Sequence, residues 1–515
     1  MNNQTACLDH PYTAETLPQL IRAAATAYGD DVAVRLQRED GGQAAISFAE
    51  LDRESARIAR GLIARGIGKG SRIGFIYGNG PDFALMLAAI ARIGAIAIPI
   101  STLIRANELV RVLRQSDVAG VIVHRRFLGH DYVERFCDAL PELRTGTSAE
   151  LRIEAVPYLR WIVSDGDGLP STFHNKRFFT DVAETVSEAM LRAIEAEVYP
   201  SDQAIEIYTS GSMALPKGVK HNHGPLLARA HFLRGMLNPT RGKEINAQLP
   251  MFWIGGLMMF LITDWTAGAL TACTGRTLNN SRFSVGSVLA DEDLKLIAAA
   301  RPYWGLGMTE TLGPYSYGDV HRVPGRPLCA PMDHWAEGFE VRVVDESNQP
   351  VAEGGIGEIQ VRSAAVTPAI HKMSHEKFFT PDGFLRTGDM GQVEGSRVHF
   401  TGRNGDMIKT ASSNVSPAEV EMELQSLDDV HNAYVVGLPD VERGQLLVAA
   451  VVGRDDGVAL DFADIEAKLR QRLSGYKVPR AYVQIRRDEV PMLPSNKVAR
   501  RELVAMMAKR LGGTA

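Results

Sequence analysis

Between Ile207 and Asn222 the chain reads Ile-Tyr-Thr-Ser-Gly-Ser-Met-Ala-Leu-Pro-Lys-Gly-Val-Lys-His-Asn. Small hydroxyl residues and a glycine let backbone approach a polyanion, their N–H and O–H groups donate to phosphate oxygens, and a lysine adds charge. This is the composition of a loop that grips a triphosphate. It is not the Walker arrangement, in which Gly-Lys-Ser/Thr opens a helix directly; here Lys217 follows Pro216. Ser, Gly and Pro also punctuate ordinary surface turns, so the reading needs partners elsewhere in the chain.

Four other places offer them. Trp304 to Tyr315 is a glycine-rich segment in which Thr309 could supply a hydroxyl to a phosphate and Glu310 a hard oxygen to Mg²⁺. Asp389 follows Thr387-Gly388 and could accept from two sugar hydroxyls. Trp253, followed by Gly255-Gly256, has the makings of a pocket wall and equally those of a core tryptophan. Lys497 sits in Pro494-Ser495-Asn496-Lys497, a loop-tip lysine of the kind usually just solvated.

The elements that must hold these residues follow from periodicity. Helical spacing covers Leu17 to Ala27, and Ser47 with Glu50 forms a capping box for a helix to about Arg65. Strands over Val32–Leu36, Ala44–Ser47, Arg72–Tyr77, Ala95–Pro99 and Gly120–His124 alternate with helices over Pro81–Arg92 and Ala106–Gln115. Such alternation predicts a parallel sheet flanked by helices. A strand over Trp161–Val163, a helix over Val182–Glu195, a strand over Ala204–Tyr208 and a helix over Pro225–Leu237 continue it. The apolar stretch Leu249–Trp265 is short for a bilayer span and reads as a buried helix. Strands over Val341–Asp345 and Glu358–Arg362 precede a Pro381-Asp382-Gly383 turn. Beyond the polar joint Gly402-Arg403-Asn404-Gly405-Asp406, Ser416, Pro417 and Glu419 cap a new helix. Strands over Val430–Leu438, Gln445–Val452 and Ala481–Arg486, with helices over Phe462–Leu473 and Arg500–Leu511, make a small α+β unit.

Composition narrows the class. The 515 residues imply more than one domain, and 45% hydrophobic with 23% charged residues is ordinary for a soluble globular chain. A net charge of −5 offers no basic field for nucleic acid. Cys7, Cys137, Cys273 and Cys329 are scattered, which fits a reducing cytoplasm rather than a disulfide framework or zinc site. Neither a signal peptide nor a transmembrane segment is expected.

Taken in order, Thr209-Ser210-Gly211-Ser212…Pro216-Lys217-Gly218, Met308-Thr309-Glu310, Arg386-Thr387-Gly388-Asp389, Gly402-Arg403…Asp406, Asn414-Val415-Ser416-Pro417…Glu419-Val420-Glu421 and Asn496-Lys497-Val498…Arg500 resemble the motifs of the adenylate-forming superfamily: acyl- and aryl-CoA synthetases, luciferases and peptide-synthetase adenylation domains. The resemblance spans nearly the whole chain. It implies an α/β fold with a large N-terminal region of sheets sandwiched with helices (1–402) and a small mobile α+β C-terminal domain (403–515). It also implies a two-step reaction: a carboxylate attacks the α-phosphate of ATP to give acyl-AMP and pyrophosphate, and a thiol, usually that of coenzyme A, displaces AMP. By the resemblance, Thr209, Ser210, Gly211, Ser212 and Lys217 grip the β- and γ-phosphates. Thr309 contacts the α-phosphate, Glu310 holds Mg²⁺, Asp389 binds the ribose hydroxyls and Arg403 lies near ribose and phosphate. Lys497 stabilises charge developing during adenylation, and Gly405 is the hinge about which the small domain rotates.

This chain departs from the family pattern at several points. Met213 and Ala214 replace a threonine and a glycine in the phosphate loop, Leu306 stands where an aromatic residue commonly stacks on adenine, and Ser412 replaces a glycine. Only about forty residues separate Trp265 from Trp304, where the family has a longer stretch. Trp253, Gly255, Gly256, Met258 and Leu312 would form an apolar acid pocket, which favours a fatty, alicyclic or aromatic acid over an amino acid. The expected enzyme is therefore an AMP-forming acid–thiol ligase using ATP, Mg²⁺ and coenzyme A, as monomer or homodimer. Two rivals are an acyl-AMP ligase that loads a carrier protein and a catalytically weakened nucleotide- or acyl-binding relative.

Overall fold

The computed structural model describes residues 11–512 apart from 39–40, 128, 210–215, 248, 275–305, 318–333, 396, 404–407, 411–412, 416, 441–442, 456–457 and 492–497. A six-stranded sheet runs in the order Lys217–Asn222, Gln203–Thr209, Ile96–Pro99, Arg72–Ile76, Gly120–Val123, Trp161–Ser164. Its strands are parallel except Lys217–Asn222, which returns antiparallel from Gln203–Thr209. Ile96–Pro99, Gly120–Val123 and Trp161–Ser164 are buried throughout, as strands covered by helices on both faces must be. A four-stranded sheet sets Glu244–Asn246, Leu270–Thr274, Val32–Gln37 and Gln43–Ser47 side by side.

Local chemistry explains the covering helices. Phe48–Ala64 starts on a complete capping box: Glu50 N donates to Ser47 Oγ at 3.1 Å, and Ser47 N to Glu50 Oε2 at 3.0 Å. Pro81–Arg92 opens with proline, whose missing N–H costs nothing at that position, and buries nearly every side chain. Its last residue, Arg92, is fully buried. Arg92 donates to Ser55 Oγ at 2.9 Å and to Glu195 Oε1 at 2.5 Å and pairs with Asp52, while Arg22 also pairs with Glu195. Four helices are thus tied by one ion network centred on the buried Arg92.

The expected helix over Val182–Glu195 is divided. Ala183–Thr185 is a 3₁₀ turn, and the helix proper runs Glu188–Ala196 because Ser187 Oγ accepts from Met190 N at 3.1 Å and sets a new start. The Leu249–Trp265 stretch enters its helix only at Ile254 and continues to Ala267 through a π-helical segment, Leu257–Ile262. Thr387, Gly388 and Asp389 lie inside the strand Leu385–Glu394, in an antiparallel sheet ordered Glu340–Val344, Ile356–Arg362, Leu385–Glu394, Arg397–Arg403.

The smaller C-terminal domain has its own core. Val430–Asp440 and Gly444–Gly453 form a long antiparallel pair, flanked by Ile408–Thr410, Ser413–Val415 and the parallel strand Ala481–Gln484. Pro417–Gln425, Phe462–Arg472 and Arg500–Arg510 pack on its faces through Val420, Leu424, Leu469, Leu503 and Met507, all buried. This is the mixed α/β architecture expected from the sequence. Among the described residues no helix is long and apolar enough to cross a membrane.

Candidate active site

Thr209 ends its strand directly opposite Lys217 in the antiparallel register, so the loop with the phosphate-binding composition closes a hairpin. Ser210, Gly211, Ser212 and the divergent Met213 and Ala214 lie outside the described residues. Lys217 Nζ stands 4.8 Å above the Phe378 ring.

Thr309 and Glu310 occupy a single 3₁₀ turn, Thr309–Thr311, set within a tight pairing of Met308 with Gly313. Thr311 holds the turn from inside: its Oγ1 accepts from Met308 N at 3.2 Å and lies 2.7 Å from Gly313 O. Two outside contacts fix it in space. Thr367 N donates to Glu310 O at 2.7 Å, and His221 Nε2 lies 2.8 Å from Thr309 O. A carbonyl only accepts, so Nε2 carries the proton. Burial pushes the His221 imidazole down to about 4, so it is neutral and serves as a structural donor. His221 was missed in the sequence. The available signal was the inward alternation of Val219 and His221 on a strand whose other face is wetter.

Asp389, 1% exposed, projects from the middle of its strand with Tyr315 Oη 3.5 Å from Oδ2. The wall carrying Trp253 is built by the turn before Ile254. Asn79 grips it, donating from Nδ2 to Leu249 O at 2.9 Å and accepting from Met251 N at 2.7 Å. Gly256 is required for packing: a Cβ there would come within 2.1 Å of Pro250 O, and one at Gly255 within 2.8 Å of Leu249 Cδ1.

These elements converge on a cavity of about 580 Å³. Thr209, Lys217, Thr309, Glu310 and Asp389 line its polar part, and Phe252, Trp253, Ile254, Leu306 and Met308 its apolar part. Gly255, Gly256 and Leu312 do not line it. The glycines pack on the preceding turn, and Leu312, fully buried with φ +53°, belongs to the main core. Lys497 and Gly405 lie outside the described residues, and of Arg403 only the backbone strand position, opposite Asp389, is described. The C-terminal domain also contributes: Lys409, Ser413, Glu419, Ser474, Tyr476 and Lys477 close the far side. Of these, Glu419 appeared in the sequence as a helix cap and within a motif of the resembled superfamily, without an assigned role in the site, and Tyr476 and Lys477 carried no signal.

The arrangement brings lysine cations, carboxylates and an apolar wall together in one cleft between two domains. Comparison with known proteins accords with it. Residues 21–285 match the AMP-binding enzyme family and residues 419–497 the AMP-binding enzyme C-terminal domain. The chain is 25% identical over 508 residues to an indoleacetate–CoA ligase of Aromatoleum aromaticum, covering 90% of this chain and 94% of that one. It is 26% identical over 510 residues to a feruloyl-CoA synthase of an Amycolatopsis species, with the same coverage. The amide bond synthetase McbA from Marinactinospora thermotolerans shares the fold, with a TM-score of 0.74 at 21% identity over 95% of this chain and 99% of that one. The chain belongs to the AMP-binding enzyme family, within the adenylate-forming superfamily.

Proposed function

We propose that this protein activates an apolar carboxylic acid, aromatic, alicyclic or fatty, as its acyl-adenylate and transfers the acyl group to coenzyme A. The observation that carries the reading is the shared cavity, which Thr309, Glu310, Asp389 and Lys217 line together with the apolar Phe252, Trp253 and Ile254. The relatives named for aryl acids and coenzyme A support the same assignment.

The residues present fit the nucleotide and its metal. Asp389 is buried yet borders the cavity, as a carboxylate accepting two ribose hydroxyls would be. Glu310 borders the cavity next to Thr309, and Mg²⁺ in nucleotide sites usually takes one or two carboxylates plus phosphate oxygens and water. When bound, Mg²⁺ neutralises phosphate charge. In this reading Thr209 to Lys217 hold the outer phosphates, Thr309 orients the α-phosphate, and Lys497 and Arg403 complete the cationic set around it. The acid's carboxylate attacks the α-phosphorus and pyrophosphate leaves with the electron pair of the broken P–O bond. Bringing two anions together is the main barrier, and preorganised donors and cations address it directly. In the second step the thiol sulfur bonds to the acyl carbon, the thiol proton is lost to solvent and AMP departs.

Pyrophosphate release over a panel of apolar acids, with ATP and Mg²⁺ and with or without coenzyme A, tests this. Release accelerated by coenzyme A with thioester accumulating is the expected result. Release indifferent to coenzyme A would replace it by carrier-protein loading, and silence from folded protein by a binding role.

A further inference from the structure

The two domains meet through a cluster of buried charges that the proposed chemistry leaves unused. Glu108, in the first turn of the Ala106–Ser116 helix, is 5% exposed. Its Oε2 accepts from its own helix's Arg105 N at 2.8 Å and lies 2.8 Å from Ser474 Oγ of the C-terminal domain. Its Oε1 accepts from Lys477 Nζ at 2.6 Å, and the same ammonium reaches Glu419 Oε1 at 2.9 Å. Ser474, Lys477 and Glu419 are all under a tenth exposed. One turn along, Arg111 of the same helix pairs with Glu423, one turn beyond Glu419 on the Pro417–Gln425 helix. Two charged bridges, spaced by one helical turn on both partners, therefore fasten the domains in one relative orientation.

Glu419 and Lys477 would pair within the C-terminal domain without help. Adding Glu108 makes the ammonium common property of both domains, and Lys477 reaches Glu108 only while they stay docked this way. Burying a carboxylate is costly unless it is paired and fully hydrogen-bonded, and Glu108 meets both conditions only in this arrangement. The position is also connected to the cavity: Glu108, Ser474, Tyr476 and Lys477 border it, together with Ser101 and Ile104 just before the helix.

We propose that Glu108 is a positioning residue that, acting through Lys477, holds the C-terminal domain in the docked orientation seen here, and we assign that orientation to thioester formation. This rests on the proposed ligase reading. The hydrogen-bond partners of Glu108 are Arg105, Ser474 and Lys477, so in this reading adenylation does not depend on it.

Glu108→Gln is the discriminating variant, because the amide oxygen still caps the helix through Arg105 N while the charge is gone. Single-turnover transfer from enzyme-bound acyl-adenylate to saturating coenzyme A is expected to fall roughly tenfold or more, with acid-dependent pyrophosphate exchange within about twofold of wild type. Equal effects on both half-reactions, or none on either, would overturn the proposal. A second readout needs no turnover: nitroxide labels on cysteines placed at the exposed Arg57 and Ala467, with Cys7 and Cys329 changed to serine and the buried Cys137 and Cys273 left in place. The wild-type background should give one narrow distance distribution and Glu108→Gln a broadened or shifted one; an unchanged distribution refutes the latch. Were wild type to form no acyl-adenylate from any acid, the ligase reading would fall while the distance measurement still judged the docking role.

Discussion

Replacing His221 by glutamine should flatten the acid sensitivity of the large N-terminal region. The buried imidazole takes a proton only near pH 4, whereas in the unfolded chain it does so near 6.5. Between those values the unfolded state binds the extra proton, so stability is complete above about pH 6.5 and is lost as pH falls toward 4. At about 1.4 kcal/mol per unit, a displacement of roughly 2.5 units amounts to about 3 kcal/mol in full, of which about 2 kcal/mol is lost between pH 7 and 4.5. The group is fully buried, so solvent screening removes little of this. Glutamine can still donate to Thr309 O but does not titrate, which separates the hydrogen bond from the charge. Urea unfolding of wild type and His221→Gln at pH 7 and 4.5, following the N-terminal transition, gives the comparison. The variant should lose about 2 kcal/mol less on acidification. His223, also pushed down to about 4 by burial, remains in both proteins and keeps a shared residual slope, while the Asp165 carboxyl, lowered to about 2, responds only at still lower pH. Identical pH dependence in the two proteins would refute the assignment of His221 as a neutral buried donor. His221→Leu adds a second test: it strands the Thr309 carbonyl and should cost about 1–3 kcal/mol at pH 7.

Arg92→Met should destabilise the N-terminal region by about 3 kcal/mol or more in thermal or urea unfolding, because Asp52 and the buried Glu195 lose their shared guanidinium. Gly256→Ala should lower the melting temperature and weaken acid binding together, since its Cβ would be driven into Pro250 O and displace the turn carrying Trp253. Trp253→Ala should shift the acid panel toward bulkier members, read as a change in the ratio of kcat/KM values, with ATP kinetics little altered. Asp389→Asn should raise the KM for ATP about tenfold with unfolding unchanged, if its carboxylate accepts the ribose hydroxyls.

Most element positions were legible from periodicity and caps. The Ser47–Glu50 box and the Pro81 start are local signals, and the buried strands are short apolar runs rich in Val and Ile. What failed locally failed for definable reasons. Ser187 could be a mid-helix serine or a cap, and only its bond to Met190 N decides. The π segment at Leu257–Ile262 leaves no mark on hydropathy, because every residue in it is apolar. For the site, Thr309, Glu310, Asp389 and Lys217 announce themselves by chemical type in glycine-rich surroundings. Leu312 did not belong with them: an apolar residue next to a site carries no indication of which way a left-handed backbone will turn it. Asn79, His221 and Glu108 act at a distance in sequence of more than eighty residues from what they hold, and no local pattern encodes such partnerships.

The sheet that seats Val32–Gln37 between Gln43–Ser47 and Leu270–Thr274 has a consequence for biogenesis. Val34 pairs in parallel with Thr271, so one flank of an early strand stays without its neighbour until the later one has been synthesised. At ribosomal rates of about 5–20 residues per second that interval lasts roughly ten to fifty seconds, long enough for an open strand edge to recruit another nascent chain. The C-terminal sheet presents no such delay, since Val430–Asp440 and Gly444–Gly453 follow each other directly. Slow release or chaperone cover over the first half of translation should therefore raise the yield of native protein more than any change made late in the chain, and fragments ending before residue 270 should aggregate where those ending after 274 do not.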